Sequence, residues 1–182
     1  MHHRPVIYIL TLVTSLMLAS CSRPASGCTD PLGCVEIPAG SPVILGALLA
    51  TQGQQAAPGS TSLQSVEQAI SNHGDLLGHP LKLVHLATDC SAESAREAAT
   101  RLSLEPDLLA VIGPSCAEES GVALPILAVA GIPALSPGLD PATAFTLTNR
   151  VIQAIQQVAV QGNDKALTIP RQALQDVLTL SP

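Results

Sequence analysis

The 182-residue chain is nearly devoid of aromatic side chains: Tyr8 and Phe145 are the whole set, and tryptophan is absent. That removes the usual means of stacking bases or gripping a flat ligand, and it leaves any core to Ala, Val, Ile and Leu. Basic residues are scarce as well. Eight Lys and Arg against fourteen Asp and Glu give a net charge of −6 with no basic cluster, which argues against a surface that tracks nucleic-acid phosphates. Catalytic signatures are also missing. The chain has no Gly-x-Ser-x-Gly, no Gly-x-Gly-x-x-Gly and no Walker loop, and Ser115 beside Cys116 has no base nearby in sequence. His73, His79 and His85 are scattered and read as surface or strand filler rather than ligands. The cysteine spacings are not of the zinc-binding Cys-x₂₋₄-Cys kind. We therefore expect no enzymatic activity, no cofactor and no metal.

The N-terminus has the form of an export signal. Met1-His2-His3-Arg4 is followed by an apolar stretch from Pro5 through Leu18 and then by Ala19-Ser20-Cys21, a run too short and wrongly flanked for a spanning helix. The Leu-Ala-Ser-Cys ending resembles a bacterial lipobox, which implies a signal over 1–20, lipidation of Cys21 and a soluble domain held on a membrane by acyl chains. Five cysteines less Cys21 leave Cys28, Cys34, Cys90 and Cys116, an even set in an oxidising compartment. Three pairings are open. We favour Cys28 with Cys34, closing a small loop, and Cys90 with Cys116, tying two neighbouring strand ends.

Residues 21–41, rich in Pro, Gly, Ser and Ala, read as a flexible tether. After it, Pro42-Val43-Ile44-Leu45-Gly46-Ala47-Leu48-Leu49 is a continuous apolar run of strand length, of the kind buried on both faces of a parallel sheet. Thr51 to Ser60 reads as a loop, and Leu63, Val66, Ala69 and Ile70 fall on one face of a helix. Leu81 to Ala87 and Leu108 to Gly113 are further strands, each followed closely by a cysteine. They flank a helix with Ala92, Ala95, Ala99 and Leu102 on one side, Ser91 as N-cap and Glu93 in the first turn. Val122, Ile126 and Val129 mark a third helix, and Ile132-Pro133-Ala134-Leu135-Ser136 a short fourth strand. The β-α-β-α-β-α-β order predicts an α/β fold with a doubly wound parallel sheet flanked by helices, its ligand edge at the carboxyl ends of the strands. Beyond Pro137 come a loop, Phe145 as a strand or edge residue, a helix with Val151, Ile152, Ile155 and Val158, a brief extension over Ala166 to Ile169, and a last helix with Pro170 at N1 carrying Leu174, Val177 and Leu178.

Three stretches carry a family resemblance: Leu76-Leu77-Gly78-His79-Pro80-Leu81-Lys82-Leu83-Val84 with Asp89-Cys90, Val111-Ile112-Gly113-Pro114-Ser115-Cys116, and Ala130-Gly131-Ile132-Pro133-Ala134-Leu135-Ser136-Pro137. Together they resemble the first lobe of the leucine/isoleucine/valine-type periplasmic binding proteins, the substrate-binding components of branched-chain amino-acid ABC transporters. Asn149 to Leu178 is similar to a segment near the C-terminal end of such proteins. The resemblance implies one lobe of a type I periplasmic binding protein over 42–148, with returning helices over 149–182 packed on it. The matching pieces meet near Thr146 to Thr148, with most of the second lobe missing between them. It also implies non-covalent capture of a small amino acid, delivery to an ABC permease, and an exported location on the periplasmic or extracellular face of a membrane.

By the same resemblance the ligand would lie against Ser115, Ala117, Glu118, Ser136, Gly138 and Asp140. The chain departs from the family pattern here. Ala117 stands where a hydroxyl residue usually grips the ligand carboxylate, while Glu118 and Glu119 place negative charge at that helix start and would repel one. Gly138 could still accept from an ammonium through its backbone, and Asp140 either pairs with one or caps a helix. Gln52 and Gln54 lie in the first loop and read as surface residues. The rival reading is a surface scaffold or decayed fragment that acts through protein contacts.

Overall fold

A computed structural model of the protein describes residues 28–180, so the signal, Cys21 and the start of the tether lie outside the described residues. Along the chain run β1 (Cys34–Ile37), β2 (Val43–Leu49), α1 (Ala56–His73), β3 (Leu81–Ala87), α2 (Ala92–Ser103), β4 (Leu108–Ile112), α3 (Ala117–Val129), β5 (Ala134–Leu135), α4 (Pro141–Val158), β6 (Val160–Gln161), β7 (Leu167–Pro170) and α5 (Arg171–Leu180).

Strands β2 to β5 form a parallel sheet in the order β3-β2-β4-β5. The unbroken apolar run of β2 is explained by burial on both sides. Val43, Leu45, Ala47 and Leu49 feed a core shared with Val66 of α1 and Val151, Ile152 and Ile155 of α4. Ile44 and Leu48 feed a second core with Ala95, Ala99 and Leu102 of α2 and Ala123 and Leu127 of α3. One pair of helices therefore covers each face, which makes the sheet doubly wound as the alternation predicts.

Several local expectations are corrected. Helix α1 starts at Ala56, not after Ser60, because Gly59 lets its first turns lie on the end of β2, where a Cβ would sit 1.8 Å from the Ala50 carbonyl oxygen. In α3 the buried face is Glu119, Ala123 and Leu127, while Val129 is 92% exposed. Apolar residues surround that helix, so periodicity could not single out its inner face. Phe145 belongs to α4 rather than to a strand, and α4 runs unbroken through Thr146 to Thr148. Pro170 ends β7 and the last helix begins at Arg171.

The largest correction concerns the tether, which has joined the fold by Cys34. Strand β1 pairs antiparallel with β7, and β6 pairs with β7 on its other side, giving a second, three-stranded sheet. Its inner face is Val35, Ile37, Leu167 and Ile169, all buried in the α1/α4 core. Asp30 accepts hydrogen bonds from the backbone N–H of Gln172 (3.0 Å) and Ala173 (3.2 Å), so the N-terminus of α5 is capped from the far end of the sequence.

This small sheet sits at the amino ends of the parallel strands. His79, 1% exposed, places Nδ1 2.8 Å from the Ser41 carbonyl just before β2 and Nε2 2.8 Å from the Lys165 carbonyl in the β6–β7 hairpin. Arg171 reaches the Leu108 carbonyl at the start of β4. The reading of His79 as surface or strand filler is thus overturned: it is a buried cross-brace between the two sheets.

Candidate functional site

At the opposite, carboxyl end, the loops after β2, β3, β4 and β5 converge where the strand order reverses about β2, the position at which open α/β sheets hold ligands. Gly113 begins the central loop at φ +131°, and a Cβ there would lie 2.2 Å from the Leu48 carbonyl oxygen, so only glycine lets β4 leave the sheet this close to β2. The loop then delivers Ser115 and Cys116 to the start of α3. Cys90, after β3, is disulfide-bonded to Cys116 with the two Cα atoms 5.5 Å apart, and Cys28 is bonded to Cys34, so both favoured pairings are formed.

Polar groups at this edge are largely committed to one another. Glu119 is fully buried: Oε1 accepts from the Cys90 N–H (3.2 Å) and Oε2 from the Cys116 N–H (3.1 Å) and the Ser115 hydroxyl (3.5 Å). The carboxyl group lies in the first turn of α3, at the positive end of that helix. The Ser115 oxygen also accepts from the Ala50 N–H at 2.9 Å, which ties the first loop to the third. Two exposed carboxylates are held ionised. Asp89 is lowered from 3.8 to about 2, first by the hydroxyl of Ser94 and then by Ser91, and Asp140 is lowered by the side chain and N–H of Thr143. Asp140 is the N-cap of α4. The Ser136 hydroxyl donates to the Pro114 carbonyl.

What remains open is a depression of about 400 Å³ lined by Gln55, Cys90, Ser115, Cys116, Ala117, Glu118 and Leu139. Of the six ligand-facing residues expected from the sequence, Ser115, Ala117 and Glu118 line it. Ser136, Gly138 and Asp140 do not, nor do Gln52 and Gln54. Gln55 and Leu139 were missed because loop residues carry no periodicity. Glu119 was seen only as a charge at the helix start, although Cys-x-x-Glu has the spacing of a capping box. No cation stands in its lining, and Glu118 is exposed on its rim.

A doubly wound lobe with its loops gathered at this edge has the fold of a type I periplasmic binding protein lobe. The chain belongs to the family described as the receptor family ligand binding region, whose model matches residues 60–162. Among solved structures it is similar to a leucine-binding protein from Thermotoga maritima, at 26% identity and a TM-score of 0.50, over 53% of this chain and 27% of that one. An ABC transporter substrate-binding protein from Sphaerobacter thermophilus matches at 22% identity and a TM-score of 0.51, over 53% and 26%. The substrate-binding protein of a branched-chain amino-acid transporter from Streptococcus pneumoniae, solved with isoleucine, matches at 22% and 0.50, over 53% and 29%. The matched region is thus less than a third of the length of each of these proteins. No curated protein sequence matches the chain.

Proposed function

We propose that this chain is an exported, lipid-anchored, non-catalytic solute-binding lobe related to branched-chain amino-acid uptake, which captures a small amine-bearing solute without covalent chemistry and serves an ABC permease. The observation that carries the reading is the open depression at the strand-order reversal, built from the Cys90 and Cys116 loops with carboxylate charge and no cation around it. The lipobox supplies the anchor at Cys21. One face alone encloses a small zwitterion poorly, and α4 leads through β6 and β7 into α5 on the same body, so no second lobe intervenes between β5 and α5. We accordingly assign weak, millimolar capture. Calorimetry with leucine, valine, lysine and arginine at millimolar levels should give saturable heats, larger for the two cationic amino acids. Silence across the panel overturns solute capture.

A second reading is favoured by the internal commitment of Ser115, Glu119 and Asp140, each occupied by groups of this same chain. On it the lobe has become a scaffold for protein contacts. Sedimentation separates the two: a monomer that takes up amino acids supports capture, and a ligand-silent dimer supports the scaffold.

A further inference from the structure

Every large hydrophobic side chain that stands exposed among the described residues lies at one end of the molecule. Leu32 is in the turn closed by Cys28–Cys34, and Val160, 61% exposed, is in the outermost strand of the small sheet. Leu77, Leu104 (76% exposed) and Val129 come just before β3, β4 and β5, and so surround the amino ends of the parallel strands. Gln161 joins this set together by donating to the Leu77 carbonyl. The carboxyl end exposes instead Gln52, Gln54, Asp89, Glu118 and Asp140. Cys28, the first described residue, lies at the apolar end and lines a groove of about 400 Å³ with Cys34, Val160, Thr168 and Pro170.

We infer that this end is a foot on which the protein, when not engaged with a permease, rests on the lipid bilayer, with the candidate binding depression facing away from the membrane. The inference rests on lipidation of Cys21, as proposed above. Six residues separate Cys21 from Cys28, and seven peptide steps span at most about 25 Å when fully extended. Strand β2 alone is about 23 Å long, and the small sheet and the carboxyl-end loops lie beyond its two ends. A leash of that reach, fixed to the body at Cys28, lets the small sheet touch the bilayer and keeps the carboxyl edge from lying face down on it, while leaving the body free to tip that edge sideways toward a permease. The foot also carries Asp75, Glu105, Asp107 and Asp164 in the same strand-entry and hairpin loops, with Lys82 and Lys165 among them, so it presents no basic cluster. Coulomb attraction to anionic lipid is therefore not the driving force; acyl insertion brings the body to the surface, and the exposed apolar side chains then set its orientation.

Because the chain has no tryptophan, single insertions report depth cleanly. Lipidated full-length Val160→Trp, Leu104→Trp and Leu139→Trp chains would be reconstituted into phosphatidylcholine vesicles whose acyl chains carry bromine. Fluorescence of the Val160→Trp and Leu104→Trp chains should be quenched about threefold or more, since an apolar face settles to the headgroup and acyl boundary. The Leu139→Trp chain should keep the intensity it has in unbrominated vesicles, and Cys21→Ser chains should stay in the supernatant. Acylated protein with equal quenching at all three positions, or with quenching at position 139 alone, overturns the foot and leaves lipidation standing. A mass spectrum without acyl groups on Cys21 overturns both.

Discussion

The parallel sheet and the antiparallel sheet of this molecule share one core but close over very different lengths of chain. In the parallel sheet each new strand is laid down after a single helix, with β2 pairing Val43 to Leu81 and Ile44 to Leu108. In the antiparallel sheet Cys34 pairs with Pro170 and Val35 with Ile169, so nearly the whole described chain lies between the partners. The extra closure costs only about 1 kcal/mol, because loop entropy grows with the logarithm of length. Burial of Val35, Ile37, Leu167 and Ile169 in the α1/α4 core readily offsets it. The comparison teaches that the small sheet is a clasp: it adds little surface of its own and fastens both ends of the described chain onto a lobe that local pattern had already specified.

The severest way to break the comparison is at the parallel sheet's exit. Gly113→Ala places a Cβ against the Leu48 carbonyl at a backbone angle that side chains rarely adopt, and should cost about 4 kcal/mol or more, read from the urea midpoint. The clasp should be nearly as costly to damage. Ile169→Ala empties a fully buried position shared by both sheets and should lose about 3 kcal/mol, close to the loss from Leu109→Ala in β4. Because the core is common, both variants should unfold in one transition with an unchanged denaturant slope; a separate early transition for Ile169→Ala would show the clasp to be an independent unit.

Smaller effects sharpen the picture. Asp30→Ala removes the cap of α5 and should cost about 1 kcal/mol, with faster amide exchange at Gln172 and Ala173. The smallest expected change is electrostatic and confined to the other end. Asp89 has its folded value lowered below 3.8, so whatever stability its bonds to Ser94 and Ser91 supply is present above that pH and is lost as the pH falls toward about 2. Carboxyl carbon resonances followed by pH titration should show the low value for Asp89, and Ser94→Ala should move it back toward 3.8.

Much of the parallel sheet was legible because its signals are local. The apolar run of β2, the cap at Ser91 and the strands ending before Cys90 and Cys116 all act within a few residues of where they are written. The antiparallel sheet was illegible for the complementary reason. The brief extension read over Ala166 to Ile169 is β7, but residues 34–37 are short and in isolation as consistent with a loop as with a strand, so nothing local showed that the two would pair. The site was legible in position but not in use. The motifs placed Ser115, Ala117 and Glu118 at the carboxyl edge, where they line the depression, and Asp140 takes the local helix-cap role that was one of its two readings, whereas the bonds that occupy Ser115 and Glu119 involve Ala50 and Cys90 in two other loops.

The amino-acid sequence by itself determined the doubly wound lobe and narrowed the four described cysteines to three pairings, since hydrophobic period, capping and strand-terminal motifs are short-range properties of the chain. Only the tertiary structure decided that the supposed tether is a strand, that His79 braces two sheets and that the exposed apolar side chains gather at one end. Those outcomes depend on which distant segments share a surface, and burial, unlike periodicity, exists only once the chain has come together.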